Sequence, residues 1–139
     1  MLDRDAADLE RKANLLADLG QEAYAWWLWL RDDRALLGEN VSATAYVAVY
    51  ETTRRWWDQT RHTLVADVSE DSATAFGEAE LRLHPSPRPE DVNGQAAYES
   101  LMAAVENAWT VLWRMKDDMD LLTQAAVLHD RLRSRGLES

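Results

Sequence analysis

The sequence contains no cysteine, which excludes a disulfide framework and a thiolate metal site. It also lacks any apolar run close to the ~20 residues needed to span a bilayer. The amino terminus enters charged residues at Asp3 without the apolar segment of a secretory signal. Its 3 prolines all lie within residues 85–89, so the remaining chain has no proline break. These absences predict a cytoplasmic protein that does not enter a membrane.

Positive charge is scarce relative to negative charge. The chain has 15 basic and 25 acidic residues, which gives a formal net charge of -10. Such a chain lacks the basic stripe that nucleic acids require, and anionic membrane surfaces repel it. We therefore expect no direct nucleic-acid binding. With 139 residues, 47% of them apolar, the chain is long enough to form a single globular domain over residues 1–139.

Three long segments repeat apolar residues at steps of three and four, which is the period of an amphipathic helix. They predict helices over residues 2–37, 42–68 and 91–135. The fold class is therefore predicted to be all-α, an antiparallel helical bundle of three long helices with one shorter, less regular helix.

The shorter helix is predicted over residues 70–83, where an extended piece at 81–83 is the alternative. The proline-rich segment 84–90 is predicted to be a loop, because alternate prolines favour extended backbone before them. The sequence leaves open whether residues 69–89 close the bundle or form an arm.

Local signals mark the ends of the helices. Ser42 is a favourable N-cap, and glycines at positions 38 and 136 are typical of helix ends. Gly20, inside the first predicted helix, indicates a kink, a break or a close backbone approach. At ~1.5 Å per residue the helix over 91–135 would exceed 60 Å, which is longer than a compact domain of this size. It must therefore kink or project.

The segment Ala23–Leu30 is apolar without interruption. On a helix, Trp26, Trp27 and Trp29 point in three separate directions, so one neighbouring helix cannot cover them all. We therefore expect several helices, or two copies of the chain, to meet at this segment.

The sequence has 7 tryptophans, and each brings a large apolar ring with one N–H group. Some are expected to form an aromatic core and others a protein interface, where tryptophan is enriched. The sequence does not decide which residue does which. The candidate interface residues are Trp26, Trp27, Trp29, Trp56, Trp57, Trp109 and Trp113.

These features predict a non-enzymatic interaction or assembly module whose partner is a second copy, another protein, or both. An acidic inhibitor of the immunity type, which covers a basic site on its target, is the alternative suggested by the net charge.

Arg55 and His62 form a third possibility. The Arg-x6-His spacing resembles the Arg-x4–6-His pattern of the HEPN ribonuclease superfamily, whose small helical domains are usually dimeric. The resemblance implies that Arg55 and His62 act on RNA together with the same residues of a second protomer. The sequence has Trp56 directly after the arginine, where that family commonly has a polar residue.

No cofactor and no metal ion is expected. The sequence has no Gly-rich phosphate loop and no zinc pattern. It also lacks the Glu-x-x-His unit that helical carboxylate metal sites need on each of two helices. An enzymatic activity is therefore not favoured.

Overall fold

The computed structural model of the protein describes residues 6–68 and 94–136. These ranges contain three helices, which we name in chain order: α1 (Ala6–Leu37), α2 (Ala43–Asp67) and α3 (Gly94–Ser134). The prediction of an all-α fold with three long helices is confirmed. The shorter helix predicted over 70–83, with its extended alternative, and the loop predicted over 84–90 lie outside the described residues.

The predicted helix ends agree closely with the structure. The Ser42 hydroxyl accepts a hydrogen bond from the Ala45 amide at 3.1 Å, as an N-cap does at the start of α2. Gly38 and Gly136 follow α1 and α3 with φ angles of 58° and 68°, respectively. This left-handed conformation ends a helix and is readily adopted by glycine.

α1 and α3 are antiparallel. The end of α1 meets the start of α3 through the ion pair between Arg34 and Glu99, at 3.2 Å. Fourteen residues earlier in α1, Gly20 lies against the indole of Trp113, which is fourteen residues further along α3. The two pairs define one constant register along the whole contact.

α1 and α2 are also antiparallel. Trp26 in the second half of α1 donates to Thr53 at 2.9 Å, and Arg11 near its start donates to the carbonyl of Asp67 at 3.1 Å. Because α2 and α3 both oppose α1, they run in the same direction as each other. The chain therefore leaves α2 at one end of the bundle and enters α3 at the other.

The core lies between the three helices, and α1 packs most closely against α3. Small buried residues line the facing sides of these two helices and allow their backbones to approach. α2 instead inserts large side chains, of which Trp57 is fully buried. The small buried residues are Ala13, Gly20, Ala23, Ala97, Ala104 and Ala108.

Gly20 does not break α1, which is continuous through it. A Cβ atom added at Gly20 would lie 3.2 Å from the Trp113 ring, so the glycine marks the close approach of a side chain and not of another backbone. α3 is likewise continuous over 41 residues, about 60 Å. In the register above its last turns extend beyond Ala6, the first described residue of α1. The choice between a kink and a projection stays a prediction, because residues 1–5 and 69–93 lie outside the described ranges.

Candidate interaction surfaces

The structure separates the seven tryptophans by burial. Trp57 is fully buried in the core, whereas half of the Trp29 side chain is exposed, at 50%. Trp113 covers Gly20. The others are partly buried and pack against the core, and they are Trp26, Trp27, Trp56 and Trp109. Trp57 therefore offers no surface to a partner, while Trp29 does.

A hydrogen-bonded chain holds Trp26 in place. Its indole N–H donates to the Thr53 hydroxyl at 2.9 Å, and that hydroxyl donates to the Val49 carbonyl at 2.6 Å. Thr53 is fully buried, so its hydroxyl needs these partners. The chain fixes the orientation of the Trp26 ring on α1 relative to α2.

Trp29 stacks on Trp26. The ring centroids are 5.0 Å apart and the planes differ by 12°. Because Trp26 is itself fixed by Thr53, the exposed ring of Trp29 rests on a rigid support. A preorganised aromatic ring loses little conformational entropy when a partner covers it.

The outer side of α1 changes character along its length. In the first half it carries exposed polar residues such as Asn14, Asp18 and Gln21. In the second half the same side is largely apolar, and Trp29 and Leu36 are exposed by 50% and 88%. We call this surface the α1 outer patch, and it comprises Ala25, Leu28, Trp29 and Leu36.

Acidic side chains lie next to and within the α1 outer patch, where Asp32 stands between Trp29 and Leu36. Glu22 and Asp32 are exposed on the same side of the helix. Arg31 lies 3.3 Å from the Asp32 carboxylate and 5.7 Å from the centre of the Trp27 ring. The patch thus combines an exposed indole with negative charge, and Arg31 partly neutralises the charge of Asp32.

Tyr98 ties α3 to the end of α1. Its hydroxyl donates to the Asp33 carboxylate at 2.6 Å and lies 3.2 Å from the Leu30 carbonyl oxygen. Burial, followed by the hydrogen bond to Asp33, raises the pKa of Tyr98 well above its ordinary value of 10.0. This tyrosine stays neutral in the folded protein at all physiological pH values.

The raised pKa predicts a specific loss of stability in alkali. A group whose pKa is raised on folding contributes stability that is fully present below its unfolded pKa, here about 10, and is lost as the pH rises towards the folded pKa. Tyr98→Phe removes this contribution. Urea unfolding of both proteins at about pH 8 and about pH 11 should therefore show a stability difference that shrinks at the higher pH. A difference that is independent of pH would contradict the prediction.

Arg55 and His62 are both exposed on the outer face of α2. They lie seven residues apart and therefore share that face, two turns from each other. A surface depression beside them is bordered by Asp58, Arg61, His62 and Val65. The ribonuclease alternative stays a prediction. In the ranges 6–68 and 94–136, no group of three or more metal-ligating side chains comes together.

The second half of α3 carries a surface that the sequence reasoning did not single out. Leu112 is the last residue of α3 that is buried. Beyond it, the residues of the predicted apolar stripe, such as Met119 and Leu122, are half-buried. Leu121 and Leu128 lie on the opposite side and are exposed by 64% and 53%. Their spacing of seven residues was the available signal for a second apolar stripe.

Comparisons with protein-family models, curated proteins and solved structures gave no match. None of the three helices described above combines the length and the apolar character needed to cross a membrane.

Proposed function

We propose that the protein is a non-enzymatic helical interaction and assembly module that self-associates through its tryptophan-bearing helix faces. The single observation that supports this proposal is the half-exposed indole of Trp29, which lies on the same side of α1 as Ala25, Leu28 and Leu36 and is held rigidly on Trp26. Exposed apolar surface of this kind is typical of protein contacts, and tryptophan is enriched among the residues that dominate their binding energy.

The geometry of the α1 outer patch suits a helix-to-helix contact. Ala25, Trp29 and Leu36 follow one side of α1 at intervals that keep them on one face. The small side chain of Ala25 lets a second helix approach next to the large ring of Trp29. A second copy that uses the same patch would form the two-fold contact found in most homodimers.

Substitution of Trp29 by glutamate tests this proposal. Light scattering coupled to size-exclusion chromatography should show an oligomer for the unaltered protein and a lower mass for Trp29→Glu. Gln21→Glu is the matched control, because it adds the same charge on the polar half of the same helix side. An unaltered mass for Trp29→Glu, with the helical circular dichroism retained, would refute a self-contact at this patch.

The acidic residues next to and within the patch favour a second candidate function. Glu22 and Asp32 are repelled by the same residues of another copy but attract a basic protein surface. An acidic inhibitor that docks this patch onto a basic target would use the same indole as its apolar anchor. Binding to an arginine-rich peptide that weakens with added salt and with Asp32→Asn supports this candidate; salt-independent self-association favours the first.

A further inference from the structure

The outer side of the second half of α3 forms a distinct apolar stripe. Leu121 and Leu128 are both more than half exposed and lie two helical turns apart on one side of the helix. Between them, Gln124 and Ala125 are exposed on the same side. Leucines at a spacing of seven around a small residue provide the kind of seam along which two helices pack.

Charges of opposite sign stand at the two ends of this stripe. Asp117 and Asp118 precede it, whereas Arg131 and Arg135 follow it, and all four are exposed. Neighbouring charges in α3 already have partners, since Lys116 pairs with Asp120 at 2.6 Å. Among the ion pairs of the described ranges, none engages Asp117, Asp118, Arg131 or Arg135.

We infer that a second copy of the chain docks antiparallel on this stripe, with a two-fold axis between Gln124 and Ala125. In this register Leu121 of one copy faces Leu128 of the other. The same symmetry places Asp118 opposite Arg131 of the second copy. Each contact occurs twice because the interface is isologous.

Charge complementarity identifies a second copy as the occupant. Asp118 and Arg131 lie at equal distances on either side of the proposed axis, so an inverted copy sets opposite charges against each other at both ends of the stripe. A parallel copy would present like charges at both ends, which disfavours that orientation. The paired segment from Asp118 to Arg131 is about 20 Å long at the rise of an α-helix. This inference uses a surface separate from the α1 outer patch and does not depend on it.

Charge reversal tests this interface specifically, because a second reversal should restore the dimer only if the two charges face each other. Asp118→Arg sets arginine against arginine across the axis, and Arg131→Asp sets aspartate against aspartate. Each single variant should weaken dimerisation at least tenfold, as measured by analytical ultracentrifugation at low salt. The double variant restores opposite charges and should recover the dimer. Glu106→Arg, exposed on α3 outside the stripe, is the control and should leave the dimer unchanged.

The outcomes separate this interface from the α1 outer patch. Loss of the dimer in each single reversal and its recovery in the double variant support the α3 interface, whatever Trp29→Glu does. Dimers that persist in both single reversals overturn it, and so does a monomeric unaltered protein. If only Trp29→Glu dissociates the protein, the α1 outer patch is the self-contact and the α3 inference fails. Circular dichroism of each variant establishes that the helices remain folded.

Discussion

Replacement of Trp57 by alanine is expected to lower the free energy of unfolding by about 3 to 5 kcal/mol. The Trp57 side chain is fully buried and is the largest of the fully buried side chains among the described residues. Its removal leaves a cavity between α2 and the other two helices that the remaining side chains fill only in part. Domains are stable by about 5 to 15 kcal/mol. The variant should therefore unfold at a much lower urea concentration.

Trp29→Ala is the matched control for this experiment, because it removes the same side chain from the same class of element. Trp29 is half exposed, so its loss should change the free energy of unfolding by no more than about 1 kcal/mol. The comparison must be made at a protein concentration where both variants have the same oligomeric state. Equal destabilisation by the two substitutions would contradict the assignment of Trp57 to the core.

Gly94→Ala is expected to be the second most damaging of the substitutions considered, with a cost of about 1 to 3 kcal/mol. A Cβ atom added at Gly94 would overlap the backbone carbonyl oxygen of Val41, close to the start of α2. A backbone atom cannot rotate away as a side chain can. The start of α3 must therefore move away from the residues that precede α2, and the nearby contact between Glu99 and Arg34 should weaken with it.

The sign of the change in unfolding free energy for Gly94→Ala distinguishes steric overlap with Val41 from the intrinsic helix preference of alanine. In an open helical position, replacement of glycine by alanine stabilises the helix by up to ~1 kcal/mol. Gly136→Ala is a control without overlap, since nothing lies within 4 Å of its added Cβ atom and only its left-handed conformation opposes the change. Urea unfolding of both variants provides the measurement. A stabilising Gly94→Ala substitution would show that the approach to Val41 is not tight.

The helices could be predicted because their signals are local. Apolar residues at steps of three and four define α1, α2 and α3, and the Ser42 hydroxyl and the left-handed Gly38 fix the ends where the structure places them. Each of these features depends on residues within a turn or two of each other. Local hydrogen bonds and sterics are sufficient to produce them, so the sequence contains the necessary information.

The roles of individual tryptophans could not be predicted in the same way. Trp56 and Trp57 both fit an apolar stripe, and only the position of the neighbouring helices decides that Trp57 is the buried residue. The orientation of Trp26 likewise depends on a neighbouring helix, because its hydrogen bond to Thr53 joins residues 27 positions apart in the chain. A helical period gives the width of an apolar face but does not locate its centre when aromatic residues surround most of the helix.

The exposed leucines of α3 show a different limitation. Leu121 and Leu128 lie opposite the stripe that was predicted to be apolar, and a single dominant period obscures a second one on the other side. Once the structure assigned Met119 and Leu122 to the half-buried side, the exposed pair became visible. The parallel direction of α2 and α3 was likewise absent from the local pattern, because it depends on the path between them.

Because α2 and α3 run in the same direction, the chain must pass from one end of the bundle to the other between them. This path affects the order in which the helices can pack during folding. The tie between Tyr98 and Leu30 joins residues 68 positions apart, whereas α1 and α2 are joined by a short turn. Closing a long loop has a larger entropic cost and slows folding relative to bundles held by neighbouring helices. We therefore expect the packing of α3 against α1, the closest among the described helices, to form after α1 and α2 have met. Until α3 packs against α1, the aromatic side chains of α1 and α2 remain accessible to solvent and to other chains.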